Sequence, residues 1–455
     1  MRKTTTLLLA GLLLLAGQQT ATAATSPLSD AFDRAARSYD VPRDLLVSVA
    51  YAETHLDGHN GEPSASGGFG LMHLRPEALK QAESLTSAPA GRLRADDTAN
   101  VLGGAAVLRA KADALGLDAA ARRDPARWYA AIAEYGGAKE RATAQIYADA
   151  VYEVLARGVD TRGVKVRPRS VRPERGEDYA PFAAAATDYP GALWVPASTA
   201  NYAVSNRPAS DPIDRIVIHV VQGSYAGSIS WFQNPAAQVS AHYVVRSSDG
   251  QITQMVREKD RAWHAGNSDY NHRSVGIEHE GYISDASWFT DQMYRSSAAL
   301  TRNIADRYGI PKDRSHIIGH VEVPGADHTD PGPYWDWAKY MGYVSGSGNP
   351  HTAESVCGSG YKVVDSQALG TAATAYLLYN TANGNNCVAA IKRTQLGTAT
   401  PLSVFLEVQG ATRATDAGNF SYYAGPLYAN APGKCVKWGG SAGSTTYESP
   451  FEHCG

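Results

Sequence analysis

Two stretches with few large apolar side chains decide how the rest of the chain can fold. Between Thr161 and Glu177, Arg162, Lys165, Arg167, Arg169, Arg172 and Arg175 stand among Pro168, Pro173 and Gly176. The second, Tyr343-Val344-Ser345-Gly346-Ser347-Gly348-Asn349-Pro350, is a glycine-serine run. Neither can form a core: the first is extended by proline and like-charge repulsion, the second is flexible. The 455 residues are therefore expected to fold as three units, in line with roughly 100 to 200 residues per domain. The expected boundaries are a helical unit over 27–158, a linker over 159–190, an α/β unit over 191–344, a linker over 345–352 and a small all-β unit over 353–455.

Met1-Arg2-Lys3, an apolar block from Leu7 to Ala16, and Gln18-Gln19-Thr20-Ala21-Thr22-Ala23-Ala24 follow in order at the start. Basic, apolar and small-residue regions in that order read as a secretory signal, too short for stable membrane insertion. Cleavage is expected after Ala23, so that residues 1–23 are a signal peptide and the mature protein is secreted and monomeric. Gln18 stands where a lipoprotein would carry its lipidated cysteine. With 42 basic and 45 acidic residues, a net charge of −3 leaves no polycationic surface, which excludes nucleic acid as a main partner.

Apolar residues recur at helical spacing from Leu28 to Tyr39 and from Leu45 to Thr54, with Pro42 near the first turn of the second run. Glu53 closes that second run, where desolvation is expected to raise its pKa and suit it to general-acid work. A loop containing Gly67-Gly68-Phe69-Gly70-Leu71-Met72-His73-Leu74 follows. Helix and loop together resemble the lysozyme-like fold of soluble lytic transglycosylases over roughly residues 27 to 158, which implies Glu53 as the acid/base of glycan cleavage. The later A-x-Y-N word of that family reads Ala133-Glu134-Tyr135-Gly136 here, with glycine in place of asparagine.

The densest chemistry lies from Gly319 to Trp337, G-H-V-E-V-P-G-A-D-H-T-D-P-G-P-Y-W-D-W. Two imidazoles, His320 and His328, and the carboxylate of Asp330 are held among prolines and glycines. Such donors suit zinc, whose catalytic sites take three protein ligands and leave one position open. His219, at the end of the strand-like Arg215-Ile216-Val217-Ile218-His219, is the best third ligand; either His320 or His328 could be the second. Strand signals at 216–221, 240–246, 252–256, 274–282 and 316–319 alternate with helix signals at 227–234 and 290–308, which predicts a mixed sheet with helices on its faces.

Eight of the 13 histidines fall between His219 and His328. Their surroundings form ordered words: Ile218-His219, Ser240-Ala241-His242-Tyr243-Val244-Val245, Ala262-Trp263-His264-Ala265-Gly266, Ser274-Val275-Gly276-Ile277-Glu278-His279-Glu280, and Gly319-His320 through Thr329-Asp330-Pro331-Gly332. In this order they resemble the zinc-dependent N-acetylmuramoyl-L-alanine amidases, which share a fold with peptidoglycan recognition proteins. The resemblance implies His219, His320 and Asp330 as zinc ligands and Glu278 as the base that activates water. It places His328, where other members carry lysine or threonine, beside the oxyanion. His264 is left either to orient substrate or to pack beside Trp263.

The four cysteines, Cys357, Cys387, Cys435 and Cys454, all fall in the last unit. An even number in an exported chain predicts two disulfides, expected between sequence neighbours, and no C-x-x-C spacing suggests zinc. Runs such as Thr374–Tyr379 and the alternating Leu402, Val404, Leu406 and Val408 predict strands. The words Cys357-Gly358-Ser359-Gly360-Tyr361, Tyr423-Ala424-Gly425-Pro426 and Cys435-Val436-Lys437-Trp438-Gly439 resemble the spore-associated protein A family of streptomycetes. Aromatics on such a unit could stack on wall sugars.

The sequence thus implies a multidomain, cell-wall-associated hydrolase: a lysozyme-like helical domain, a mixed-sheet zinc amidase domain and a disulfide-bonded β domain. Its expected activity is cleavage of the amide between N-acetylmuramic acid and L-alanine in peptidoglycan. Two alternatives stand beside it: a recognition protein that binds peptidoglycan without cutting, and a bifunctional enzyme in which Glu53 also cleaves glycan.

Overall fold

The computed structural model describes residues 26–175, 187–346, 348–349, 351–358, 360–380 and 383–454. The expected signal peptide and residues 176–186 of the first linker lie outside the described residues. No helix among the described residues is long and apolar enough to cross a membrane.

The first unit is helical. Helix α1 (Pro27–Tyr39) begins where the Ser26 side chain accepts from the Ser29 N–H and Pro27 fixes the first φ; it stops at Asp40, in the left-handed region. Helix α2 (Arg43–Thr54) likewise ends at a left-handed residue, His55. Helices α3 (Pro76–Thr86), α4 (Ala90–Ala95), α5 (Asp97–Ala114), α6 (Tyr129–Tyr135) and α7 (Arg141–Arg157) complete it. Leu45, Leu46 and Val49 of α2 join Phe32, Leu71, Leu108, Trp128 and Ile132 in one buried cluster.

The first linker differs from its expected form. Strands β1 (Val159–Thr161) and β2 (Val164–Val166) make a hairpin whose Val159, Val164 and Val166 are buried in the helical core. Beyond it the chain stays docked: the Arg169 N–H donates to the Leu155 carbonyl (3.0 Å) and the Glu174 N–H to the Ala126 carbonyl (2.8 Å). The expected self-repulsion is offset by pairing, with Lys165 on Asp160 (2.7 Å) and Arg175 on Asp149 (2.7 Å). Three valines brought to one face outweigh the charge run between and beyond them, because each buried valine is worth about 1.5 kcal/mol or more and an exposed charge very little.

The second unit contains β3 (Leu193–Trp194), β4 (Tyr202–Ala203), β5 (Arg215–Val220), α8 (Tyr225–Gln233), β6 (Tyr243–Val245), β7 (Ile252–Gln254), β8 (Arg261–Ala262), α9 (Ser268–Arg273), β9 (Ser274–His279), α10 (Asp291–Tyr308), β10 (Ile317–Gly319) and α11 (Trp337–Val344). Its main sheet has the order β10-β5-β9-β6-β7-β3. Strands β10, β5, β9 and β6 run parallel, β7 is antiparallel to β6, and β3 is parallel to β7. Strand alternation sends Ile216, Ile218, Val275 and Ile277 to one face, where they share a core with Met293, Leu300 and Ile304 of α10. Val217 leads the other face, with Ile318 and Val323.

The cores of the first two units are not separate, as the sequence had suggested. Tyr225, Ala226, Ile229 and Phe232 of α8 belong to the same buried cluster as the helical unit. An amphipathic helix needs a covered stripe, and that of α8 is completed by this cluster rather than by its own sheet alone.

In the third unit, helix α12 (Ala353–Cys357) precedes, among the described residues, eight strands: β11 (Lys362–Leu369), β12 (Ala373–Asn380), β13 (Asn385–Lys392), β14 (Thr400–Val408), β15 (Ala414–Phe420), β16 (Tyr423–Asn430), β17 (Val436–Ala442) and β18 (Thr445–Glu448). They form antiparallel sheets of order β11-β12-β13-β16 and β15-β14-β17-β18. Leu377 and Val388 of one and Val404 and Trp438 of the other lie in a common core. Cys357 bonds to Cys387 and Cys435 to Cys454, the sequence-neighbour pairing.

Candidate metal centre

Parallel pairing of β5 and β9 puts His219 directly beside Glu278. Lateral neighbours point to the same side of a sheet, so both leave the face away from α10. The next residue along, His279, points to the α10 side. There its Nδ1 meets the His219 carbonyl (2.8 Å) and its Nε2 the Ser297 hydroxyl (2.6 Å), and burial pushes its pKa down to about 3.

His320 follows β10, and Asp330 returns beneath it: the Val321 N–H donates to the Asp330 carbonyl (3.0 Å). The carboxylate of Asp330 meets His219 Nδ1 at 3.3 Å and His320 Nδ1 at 3.2 Å, and Oδ2 also accepts from the Val220 N–H (3.3 Å). Burial pushes the Asp330 carboxyl up, but hydrogen bonds and charge from the two imidazoles outweigh it and hold its pKa well below the usual range. The structure thus brings together His219, His320 and Asp330, all buried, with one donor atom from each within 4.8 Å of the others.

A chain of hydrogen bonds behind His219 fixes its tautomer. His219 Nε2 lies 2.9 Å from His264 Nδ1, and His264 Nε2 lies 3.2 Å from the Ser274 hydroxyl, which donates to the Tyr270 carbonyl. Because Ser274 donates onward, it can accept from His264 Nε2–H; His264 Nδ1 then accepts from His219 Nε2–H. With Nε2 taken by His264, Nδ1 is the ring nitrogen left on the Asp330 side, and a partner on the far nitrogen is what orients an imidazole for a metal. Burial, then the charges of His219, His242, His320 and Arg207, push the His264 pKa well below its ordinary value, so it stays neutral. Gly276 makes room for this ring: a Cβ there would lie 2.4 Å from His264 Cγ.

Of the two readings of His264, substrate orienter or packing residue, neither anticipated this support for His219. The signal available was Gly276, a small residue between the β-branched Val275 and Ile277 inside a strand. His242 is also taken up by the framework: its Nδ1 accepts from the Gly276 N–H (3.0 Å) and its Nε2 faces the Asp260 carbonyl (3.1 Å).

Glu278 has one carboxylate oxygen buried with no hydrogen-bond partner. Desolvation, then the charge of Asp330, push its pKa well above the usual range. His320 Nε2 is likewise buried and unpartnered. His328 is exposed and stacks on His320, the ring centroids 4.8 Å apart and the planes 14° from parallel. Beside them opens a cavity of about 430 Å³ lined by Gln238, Arg261, Trp263, His264, His320 and His328.

Glu53 lies apart from this group and differs from its expected state. Only 4 % of it is exposed. Burial pushes its carboxyl up, but His73, Ser224 and Arg75 together outweigh burial and hold the pKa below its ordinary value. A raised pKa was expected from the apolar run alone; the partners come from the following loop and from α8, which that run does not show. At the departure from the A-x-Y-N word, a Cβ on Gly136 would lie 2.6 Å from the ring of Tyr147, which fills the space.

Two imidazoles and a carboxylate sharing one point, with a second carboxylate on the adjoining strand and a cavity beside them, form a group that could hold a metal ion. Residues 209–333 match the family described as N-acetylmuramoyl-L-alanine amidase. The chain is 44 % identical over 183 residues to N-acetylmuramoyl-L-alanine amidase A of Achromobacter lyticus, a match covering 36 % of this chain and 100 % of that protein. It is 42 % identical over 114 residues to the 1,6-anhydro-N-acetylmuramyl-L-alanine amidase AmpD of Escherichia coli, covering 24 % of this chain and 60 % of the relative. A further 101 residues are 42 % identical to spore-associated protein A of Streptomyces coelicolor, covering 22 % of this chain and 65 % of that one. The chain belongs to the N-acetylmuramoyl-L-alanine amidase family and is an enzyme of that class.

Proposed function

We propose that this is an exported zinc amidase that acts as a monomer at the cell wall and cuts between N-acetylmuramic acid and the L-alanine of the stem peptide. The convergence of His219, His320 and Asp330 beside Glu278 carries the reading. The donor set fits zinc: two imidazoles and a carboxylate, one donor atom of each within 4.8 Å of the others, are residue types that bind it. The unpartnered Glu278 oxygen faces the same side of the sheet.

When bound, zinc supplies a Lewis acid and a positive charge that acidifies water beside it and favours the ionised form of Glu278. Glu278 then accepts the proton of the attacking water and delivers it to the departing amine. His264 keeps His219 in one orientation through their 2.9 Å bond. His328, on the open side of His320, donates to the developing oxyanion, a contribution of about 3 kcal/mol where such donors have been removed elsewhere. The cavity at Trp263 and Arg261 receives the muramyl peptide, and the β unit attaches the enzyme to wall polymer.

Digestion of purified sacculi with and without a chelator, followed by mass spectrometry of the new ends, tests this. Free L-alanine amines paired with unsubstituted muramic acid should appear only without chelator. Their absence, or their persistence in chelator, would refute the assignment.

A further inference from the structure

We infer that Glu53 is a positioning residue of the amidase site, and that the helical unit is a fixed buttress for the loop between His219 and α8. For its activity measurements the inference rests on the amidase reading. The Glu53 carboxylate accepts from the Ser224 hydroxyl at 2.8 Å and from His73 Nδ1 at 3.2 Å. His73 is held in turn: its Nε2 meets the Ser64 hydroxyl at 2.7 Å, and that oxygen accepts from the Gly68 N–H. Ser224 can therefore give its proton to Glu53 while it accepts, as N-cap of α8, from the Gly227 N–H. The two units come into close contact here, and the N-cap of α8 leaves no room for a side chain at Gly227. A Cβ on Gly227 would lie 2.8 Å from Ser224 Oγ, 3.3 Å from Ser66 Oγ and 3.7 Å from His73 Cε1.

This closed contact removes Glu53 from glycan chemistry. Buried Tyr135, Tyr147 and Tyr282 lie within reach of its charge: burial first, and then Glu53, push their hydroxyl pKa values upward. An acid/base for a polysaccharide needs an open cleft and a pKa near the working pH; Glu53 has a buried carboxylate with a lowered one.

The same contact reaches the metal centre in few steps. The Ala65 N–H donates to the Gln222 carbonyl (3.1 Å), and Gln222 is itself in the left-handed region, φ 51°. Gly223 and Gly281 exchange N–H···O bonds of 3.1 and 3.0 Å, joining this loop to the segment just beyond Glu278. Gln222 Oε1 accepts from the Ile283 N–H (3.4 Å), and Ile283 packs against Gly332, where a Cβ would lie 2.5 Å from that of Ile283. Two residues earlier is Asp330. Rings clamp the far side: His55 stacks on Trp288 at 3.5 Å and His59 on Tyr282 at 3.8 Å. The segments that follow His219, Glu278 and Asp330 are thus all seated, directly or through one neighbour, on residues between Glu53 and Ala65.

The test uses full-length, zinc-loaded protein with muramyl dipeptide as substrate and hydrogen exchange as a readout independent of turnover. Glu53→Ala and Ser224→Ala should each lower kcat by roughly ten- to a hundredfold, the scale of an ångström-level misplacement, with zinc content unchanged. The double variant should be no worse than either single one, and Ser224→Thr should recover most of the rate. In Glu53→Ala the amides of Gly223 and Gly281 should exchange faster while those of α10 stay protected. Unchanged exchange at Gly223 and Gly281, or additive losses in kcat, would overturn the proposal. So would anhydromuramyl ends released from sacculi by the wild type and absent with Glu53→Gln. A wild type inactive on every muramyl peptide, with exchange at Gly223 still dependent on Glu53, would instead sink the amidase reading and leave the buttress standing.

Discussion

Gly276→Ala places one methyl group where the structure has an imidazole. The added carbon would lie 2.4 Å from His264 Cγ and 2.6 Å from Nδ1. Ordinary carbon contacts are about 3.5 Å or longer, so the ring must retreat by about an ångström. That retreat stretches the 2.9 Å bond from His219 to His264 past the roughly 3.5 Å at which a hydrogen bond ceases to hold. His219 then loses the partner that fixes its tautomer. Loss of such outer-shell partners costs metal sites about 10- to 100-fold in affinity, about 1.4 to 2.8 kcal/mol at tenfold per 1.4 kcal/mol, beside about 1 to 3 kcal/mol of overpacking in the fold. Competition with a chromophoric chelator measures the zinc dissociation constant, and circular dichroism confirms that the sheet persists. A folded Gly276→Ala protein that binds zinc within twofold of wild type would refute the role given to His264.

Other outcomes follow from the same structure. His320→Ala should lose zinc, whereas His328→Ala should keep the metal and lose rate by about a hundredfold to a thousandfold, the range seen when oxyanion donors are removed; metal content by emission spectrometry with steady-state kinetics separates them. Glu280 accepts the N–H groups of Tyr225 and Ser247, yet burial raises its pKa from 4.5 to about 7. Its contribution to stability is therefore full below about pH 4.5 and lost as pH rises through about 7, with about 3 kcal/mol as the upper scale. Denaturant titrations at pH 5 and pH 8 should show Glu280→Gln gaining on the wild type as pH rises, and a constant difference would contradict the assignment. Truncation at Asn349 should leave cleavage of soluble muramyl peptide intact and weaken sedimentation with whole walls; undiminished wall binding would end the targeting role of the β unit.

The grouping of His219, His320 and Asp330 was legible in the sequence because its parts obey short-range rules. His219 ends an apolar strand, its lateral partner Glu278 ends another, and the Gly319–Trp337 loop carries the remaining donors within a few residues. Of the two histidines in that loop, His320 is buried beside His219 and Asp330, and His328 stands exposed outside the group. What stayed hidden depends on contacts between distant segments. Nothing near Glu53 shows that Ser224 will reach it across 171 positions, and so the apolar helix alone suggested the opposite pKa shift. In the first linker, six cations masked three valines whose alternation was the stronger signal. His264 hid for a different reason: its partner is another histidine, and hydrogen bonds between imidazoles leave no fixed spacing in a sequence.

The buried cluster that runs from the helical unit into α8 bears on how such a protein could be shortened or recombined. A fragment cut at the compositional boundary near residue 191 would carry Tyr225, Ile229 and Phe232 on α8 without the helices that cover them. It would present water with a contiguous oily face, the kind of surface that drives self-association. As a transplantable cassette for fusion enzymes, the amidase therefore begins at α1 rather than at its own first strand.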